Sequence, residues 1–149
     1  MLPFDTFLQA KNSGRAEESN KKRNIMLNLY QEVLMDHYHA PHNQGALDCY
    51  DFCSTQRNSS CGDEVTVTGV IRENRVVSVG WVGKGCVISQ ATASMLSGYV
   101  KNKSLDDILT LDKDDLIAII GMQLGPVRLL CGLLSLTALQ CGVREYKTR

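Results

Sequence analysis

Cysteine thiols give this chain of 149 residues its most distinctive chemistry, because two of its six cysteines, Cys61 and Cys86, stand beside residues that could activate them. The first, Cys61, lies in the stretch Ser60-Cys61-Gly62-Asp63. Gly62 lets the backbone bend, so the thiol of Cys61 and the carboxylate of Asp63 can converge. Taken alone, this stretch is equally typical of a loop cysteine beside a turn aspartate.

Cys86 follows Gly83-Lys84-Gly85 at a predicted junction from strand to helix. Unpaired backbone N–H groups, the positive end of the helix and the neighbouring Lys84 all favour its thiolate form. A thiolate is what both metal ligation and nucleophilic attack on a persulfide require. The alternative is a small buried apolar residue at a helix start.

Cys131 lies in an apolar stretch and by itself is typical of a core cysteine. Cys49 and Cys53 would be about 13 Å apart on one strand, at about 3.3 Å per residue, so they could not share one ion. Cys141 has no polar companion at ligand spacing, and these last three cysteines are interpreted as incidental. The three histidines close the first predicted helix, where a cation complements the negative helix end, and are interpreted as caps: His37, His39 and His42.

Length and charge limit the classes of function. A chain of this length fits one domain that needs no disulfides. Lys plus Arg and Asp plus Glu both number 16, which gives no field to attract nucleic acid or anionic lipid. The first residues lack a signal peptide and carry Asp5, Glu17 and Glu18, so we expect a reducing cytoplasm. Pro126 and Arg128 divide the apolar residues 116–139 into pieces shorter than the ~20 residues of a membrane span, which predicts two buried helices and no membrane.

The elements that must position these thiols follow from hydrophobic periodicity. Residues 1–24 are polar and predicted to be mobile, ahead of a single domain over residues 25–149. Apolar residues at helical spacing predict a first helix from Ile25 to the stop at Pro41. Alternation on both sides of Glu73-Asn74 predicts a hairpin, to which residues 46–54 add a third strand.

The remaining predicted elements are all helical. They cover residues 88–100, a shorter pair within residues 104–120, and a last helix that opens at Gly125-Pro126 and ends near Gly142. Strands and helices are therefore segregated along the chain, which predicts the α+β class.

Five motifs in one order resemble the U-type iron–sulfur scaffold family, which comprises IscU, SufU and the N-terminal domain of NifU. The first is Tyr30-x-x-Val33-x-x-Asp36-His37-Tyr38-x-x-Pro41-x-Asn43-x-Gly45, and the second is Cys61-Gly62-Asp63. The others are Gly83-x-Gly85-Cys86-x-Ile88-Ser89, Ala91-x-Ala93-Ser94-Met95 and Gly125-Pro126-Val127-Arg128-Leu129-x-Cys131.

The resemblance implies a three-stranded antiparallel sheet packed against several helices, SufE/NifU-like. It implies that Cys61, Asp63, Cys86 and Cys131 meet at one exposed end and hold the metal or cluster, with Cys86 and Cys131 as sulfur acceptors. It also implies a pyridoxal-phosphate cysteine desulfurase as the sulfur donor and apoproteins as recipients.

Two departures separate this chain from the branches of the family. IscU-like members share the short spacing from Cys86 to Cys131 but carry a histidine where this chain has Leu130. SufU-like members lack that histidine but carry an insertion that is missing here. The IscU segment bound by an Hsp70-type chaperone resembles residues 124–128, except that Gly125 replaces one of its two prolines, so chaperone binding is not predicted.

Three hypotheses for the function therefore stay open. The first is a scaffold that receives sulfur, assembles a transient 2Fe-2S cluster and passes it to apoproteins, with Asp63 as the weak ligand that permits release. The second is a zinc-dependent sulfurtransferase in which the same four residues bind Zn²⁺. The third is a structural zinc module that only stabilises the fold. The sequence leaves undecided whether the chain is itself an enzyme.

Overall fold

The computed structural model describes the backbone of residues 3–149 and the side chains of residues 16–149. The elements run in the order α1 (Pro3–His39), β1 (Phe52–Asn58), β2 (Asp63–Arg72), β3 (Arg75–Lys84), α2 (Val87–Tyr99), α3 (Leu105–Thr110), α4 (Lys113–Ile120) and α5 (Pro126–Lys147). One helix precedes the three strands and four helices follow them. The predicted α+β class is therefore confirmed.

The three strands form one antiparallel sheet in the order β1-β2-β3. Glu73 and Asn74 join β2 to β3 with φ values of 52° and 62°, as the tight turn of a twisted hairpin requires. β1 starts at Phe52, so most of the predicted third strand, residues 46–54, lies before it and Cys49 is outside the strand. The difference arises because β1 continues through polar residues to Asn58, which an edge strand with one solvated face tolerates.

The helix α1 begins at Pro3, whereas apolar periodicity predicted a start at Ile25. Its first part is rich in charged residues, including the i,i+4 pair Glu18–Lys22, and such a solvated helix leaves no apolar pattern. The chain divides into two compact units, Met1–Glu32 and Val33–Arg149. The mobility predicted for residues 1–24 and the single domain predicted for residues 25–149 stay predictions. Residues 1–2 and the side chains of residues 3–15 lie outside the described part.

The four later helices follow the predictions except at one end. Ser104 caps α3, and Asp112 with Asp115 forms a reciprocal capping box at the start of α4. α5 begins at Pro126 as predicted, but it continues past Gly142 to Lys147. Gly142 is therefore inside the helix, where its missing side chain admits the ring of Phe52 from β1.

The core of the second unit lies between the sheet and the helices α2 and α5. Its largest fully buried side chains include Trp81 and Phe52 from the strands and Leu139 from α5. By length and composition alone α5 could cross a membrane, but half of its most apolar window is buried inside the fold, as in a core helix. The predicted pair of buried helices within residues 116–139 corresponds to α4 and α5.

Candidate metal centre

Two chain turns at one end of the sheet carry three of the candidate residues. Cys61 lies in the turn from β1 to β2, where Gly62 has a φ of 73° and donates its N–H to the Asn58 carbonyl. Asp63 is the first residue of β2, and only 3% of it is exposed. Cys86 follows the end of β3 and occupies the N-cap position of α2. The predicted bend at Gly62 and the predicted helix start at Cys86 are both present.

The Asp63 carboxylate receives two hydrogen bonds from Cys86. The backbone N–H of Cys86 donates to Oδ1 at 3.2 Å, and its thiol donates to Oδ2, also at 3.2 Å. The hydroxyl of the buried Ser89, one turn into α2, donates to the Cys86 carbonyl at 3.0 Å. Asp63 and Cys86 therefore form one half of the candidate site.

Cys61 and Cys131 form the other half. Cys131 lies in the second turn of α5 and is 5% exposed, and its Sγ is 3.7 Å from the Sγ of the exposed Cys61. One ligand atom from each of Cys61, Asp63 and Cys131 lies within 4.8 Å of the others. Cys86 is outside this trio of described residues but touches it through Asp63.

The electrostatics of the site separate its carboxyl group from its buried thiol. Burial works to raise the pKa of Asp63, but hydrogen bonds from the thiols of Cys86 and Cys61 and from the Cys86 amide outweigh it and leave the pKa below its usual range. Burial, a hydrogen bond with Cys61 and the proximity of Cys86 raise the pKa of Cys131 to about 12. Without a bound cation the site thus contains an ionised carboxylate beside a protonated thiol.

The donor set fits a thiophilic metal. Two sulfurs bound to one zinc ion at about 2.3 Å in a tetrahedron lie about 3.8 Å apart, and the Cys61–Cys131 separation is 3.7 Å. Sulfur donors also suit iron in 2Fe-2S clusters. The carboxylate adds one harder oxygen donor. Because Cys61 and Cys86 are exposed, the site is open to solvent on that side.

The NifU-like N-terminal domain family matches residues 29–149, which is most of the chain. This chain belongs to that family. The zinc-dependent sulfurtransferase SufU of Bacillus subtilis is 32% identical to it over 134 residues, covering 78% of this chain and 90% of SufU. The iron–sulfur cluster assembly enzyme IscU of Drosophila melanogaster is 30% identical over 145 residues, covering 93% of each chain.

A crystal structure of a NifU-like protein (N-terminal) from Brucella abortus superposes on this chain with a TM-score of 0.68, covering 83% of this chain and 99% of that one. At 20% identity this likeness concerns the fold alone. The resemblance inferred from five motifs and the NifU-like fold that it implied are both confirmed.

The three cysteines of this NifU-like chain that are not candidate site residues do not belong to the trio. Cys49 and Cys53 are exposed and Cys141 is half-buried, and the trio is the one group of three or more metal-binding side chains found among the residues with described side chains. They remain interpreted as incidental.

His37 differs from its interpretation as a helix cap. Its Nδ1 forms a 2.7 Å hydrogen bond with the hydroxyl of Ser94 in α2. Burial, followed by the nearby His42, lowers its pKa below the ordinary value. The ring thus connects the last turn of α1 to α2, and its lowered pKa disfavours the cationic form that a helix cap would use.

Two residues of the site were not singled out from the sequence. Gly85 lies against Asp63, and Ser89 contacts Cys86. The signal was present in the motif Gly83-x-Gly85-Cys86-x-Ile88-Ser89, but the contact of Gly85 joins two strands and cannot be read from spacing along one segment.

Proposed function

We propose that this NifU-like protein is an iron–sulfur cluster assembly scaffold, on which Cys61, Asp63, Cys86 and Cys131 hold a transient 2Fe-2S cluster as cargo. The observation that carries the proposal is the meeting of three thiols and one carboxylate at an end of the sheet where two of the thiols are exposed. Among its relatives, IscU is named for iron–sulfur cluster assembly, which supports this function. SufU is named a zinc-dependent sulfurtransferase, which supports the alternative.

Sulfur enters by thiol chemistry at Cys86 or Cys131. A thiolate of this chain attacks the outer sulfur of a persulfide on a pyridoxal-phosphate cysteine desulfurase, so that one S–S bond forms while the donor's S–S bond breaks and its thiolate leaves. Cys86 is the more accessible of the two, because Cys131 is 5% exposed. Reduction of the bound sulfur to sulfide requires a separate low-potential electron donor.

The surface beside the site supports the docking of such partners. Val127 and Leu130, in the first turns of α5, are 73% and 57% exposed. A groove of about 320 Å³ runs between the end of β1 and α5, with Leu130 and Leu133 on one side and Asn58 on the other. We propose that the desulfurase and the recipient apoproteins use this side of the molecule, in a reducing cytoplasm that keeps the six cysteines as thiols.

In this proposal, Asp63 is the weak ligand that allows the cluster to be released. A carboxylate oxygen is a poorer partner for the iron of a sulfide cluster than a fourth thiolate would be. Its hydrogen bonds from Cys86 give the carboxylate a place to return to when the cluster departs.

Anaerobic reconstitution tests the proposal. Incubation with ferrous iron, cysteine, a desulfurase and an electron donor that reduces persulfide sulfur to sulfide should produce the visible absorption of a 2Fe-2S centre, with about two irons per chain. The chromophore should be transferred to an apo-ferredoxin. Absence of any cluster under these conditions, with zinc retained instead, would overturn the scaffold proposal.

A zinc-dependent sulfurtransferase is the second candidate, favoured by the 3.7 Å separation of Cys61 and Cys131 and by the apolar Leu130 beside Cys131. The same four residues would hold Zn²⁺, which favours the thiolate form of its cysteine ligands. This candidate predicts that the zinc-loaded chain accelerates desulfurase turnover with no cluster formed. Unchanged acceleration after removal of zinc by a chelator would exclude it.

A structural zinc module is separated from both candidates by the substitution Asp63→Ala. A metal that only stabilises the fold predicts a lower melting temperature and no other effect. The scaffold predicts a folded protein whose cluster release is altered, because one ligand of the cluster is gone, and the sulfurtransferase predicts altered sulfur transfer. The exposure of Cys61 and Cys86 disfavours the closed site expected of a purely structural ion.

A further inference from the structure

Gly85 lies directly across the sheet from Asp63. The ladder between β2 and β3 pairs Glu64 with Lys84, so the next residue outward on each strand is Asp63 on β2 and Gly85 after β3. Opposed residues of antiparallel strands bring their Cβ positions within about 5 Å, and side chains there usually compete for space. At this position only Asp63 has a side chain.

The space taken by the Asp63 carboxyl group is the space that a side chain at Gly85 would need. A Cβ built on Gly85 would overlap Oδ1 and Cγ of Asp63 and would lie 2.8 Å from its Cβ. Asp63 is 3% exposed, so the surrounding protein leaves its carboxylate little room to rotate toward solvent. A residue larger than glycine at position 85 must displace the carboxylate.

The backbone of Gly85 also directs one of the donors to Asp63. Its φ of 141° lies in a region that residues with a side chain rarely adopt. The peptide N–H that follows belongs to Cys86 and donates to Asp63 Oδ1. Gly85 therefore provides both the room for the carboxylate and the direction of the amide that binds it.

We propose that Gly85 is a positioning residue for the metal-binding carboxylate: it keeps Asp63 among the three thiols, and a side chain at position 85 removes Asp63 as a ligand while leaving the three thiols in place. This inference rests on the proposed function, because it takes Asp63 to be a ligand. The inference adds Gly85 to the site as a residue that acts through Asp63 and is not itself a ligand.

Cobalt(II) titration of the metal-free protein tests the inference, because charge-transfer bands report bound thiolates and the d–d bands report the remaining donors. We expect Gly85→Ala to keep the thiolate bands and to shift the d–d bands to those of Asp63→Gly. We expect both variants to lose affinity for Co²⁺ by a similar factor, roughly 10- to 100-fold, as for other disturbed ligand shells.

A double variant separates the contact from a general loss of order. Asp63→Gly removes the three atoms that would lie nearest to the Cβ at position 85, so adding Gly85→Ala to it should change the Co²⁺ affinity little further. If Gly85→Ala folds poorly, the double variant should recover the loss in melting temperature that exceeds the backbone-strain loss of the Gly45→Ala control. A double variant that recovers none of this excess would overturn the inference.

Gly45→Ala is the matched control for backbone strain. Gly45 has a φ of 117°, and a Cβ there would have no heavy atom within 4 Å. This variant should lose stability yet keep the Co²⁺ spectrum of the original chain. A Gly85→Ala protein with the original spectrum and affinity would overturn the inference alone, whereas an Asp63→Gly protein with both unchanged would also remove Asp63 from the proposed ligand set.

Discussion

At the scale of single residues, the site consists of two unlike pairs. Cys61 and Cys131 face each other through sulfur, while Cys86 is held by the Asp63 carboxylate. The first pair combines an exposed thiol with a buried one, and the second combines a thiol donor with an anionic acceptor. This arrangement predicts different reactivities for three cysteines that are equivalent in the sequence motifs.

We expect mild oxidation of the metal-free protein to join Cys61 to Cys131 and to leave Cys86 out. The exposed Cys61 attacks a small disulfide such as glutathione disulfide and releases one thiol. Cys131, whose sulfur is 3.7 Å away, then displaces the second thiol, slowly because its raised pKa leaves little thiolate. The product is lighter than the reduced chain by two hydrogen atoms, and peptide mapping by mass spectrometry identifies the pair.

The experiment is cleanest with Cys49, Cys53 and Cys141 replaced by serine, because two of these are exposed and would react as well. Cys86→Ser in that background should form the same bond. A bond from Cys86 to either partner as the main product would contradict the two-pair arrangement.

At the scale of elements, the contact between β1 and α5 depends on glycines that make room for one aromatic ring. The ring of Phe52, which is 1% exposed, fills the space that a side chain would need at Gly142 in α5 and at Gly69 in β2. The ring is therefore held from both sides. This explains why a glycine stands inside the helix at position 142, although glycine near a helix end is typical of a stop.

Gly142→Ala should destabilise the protein by about 1–3 kcal/mol, because the added methyl group overlaps a ring that cannot move aside. The better helix propensity of alanine, up to about 1 kcal/mol, opposes this cost without cancelling it. Urea unfolding followed by circular dichroism measures the difference.

Gly98→Ala in α2 is its control, because a Cβ at Gly98 meets no heavy atom within 4 Å. This substitution should leave the free energy of unfolding unchanged or raise it by up to about 1 kcal/mol. Equal effects of the two substitutions would show that backbone propensity, and not the Phe52 contact, determines the outcome.

At the scale of the whole second unit, polar contacts fix the chain between α1 and β1 onto the core. Ser94 of α2 binds the ring of His37 and accepts the backbone N–H of His42 at 2.8 Å. The His42 carbonyl accepts the indole N–H of the buried Trp81 at 2.8 Å. Ser94 thus joins the end of α1 and the following turn to α2, and His42 joins that turn to the sheet.

These contacts predict a stability that falls in mild acid. The folded-state pKa of His37 is below the ordinary value of 6.5, first through burial and then through His42, with Asp36 opposing. The unfolded chain therefore binds the proton more readily, so stability is complete above pH 6.5 and decreases as the pH falls from there toward the folded-state pKa. Asp115, an acidic group, lines the same groove as His37.

Thermal unfolding between about pH 7.5 and about pH 5, the range in which histidine changes its charge, measures the effect. His37→Gln should flatten the decrease, whereas substitution of the exposed neighbour His39 by Gln should leave it unchanged. A decrease of the same size in the His37→Gln protein would assign the dependence to other groups.

Much of this protein follows from local patterns in its sequence. The alternation around Glu73-Asn74 determined the hairpin, and Pro126 determined where α5 begins, because both depend on neighbours a few residues apart. The motifs also sufficed to group Cys61, Asp63, Cys86 and Cys131 through a family resemblance. Hydrophobic periodicity did not predict the charged start of α1 or the polar end of β1, because neither segment buries an apolar stripe.

Only the tertiary structure decided how those four side chains are paired and what supports them. The burial of Cys131, the hydrogen bond of His37 to Ser94 and the passage of α5 through Gly142 all depend on residues far apart in the chain. The same holds for Gly85, whose importance comes from an atom of Asp63 on the neighbouring strand. Steric exclusion and burial act between whichever groups the fold brings together, and a pattern along one segment contains no information about the other partner.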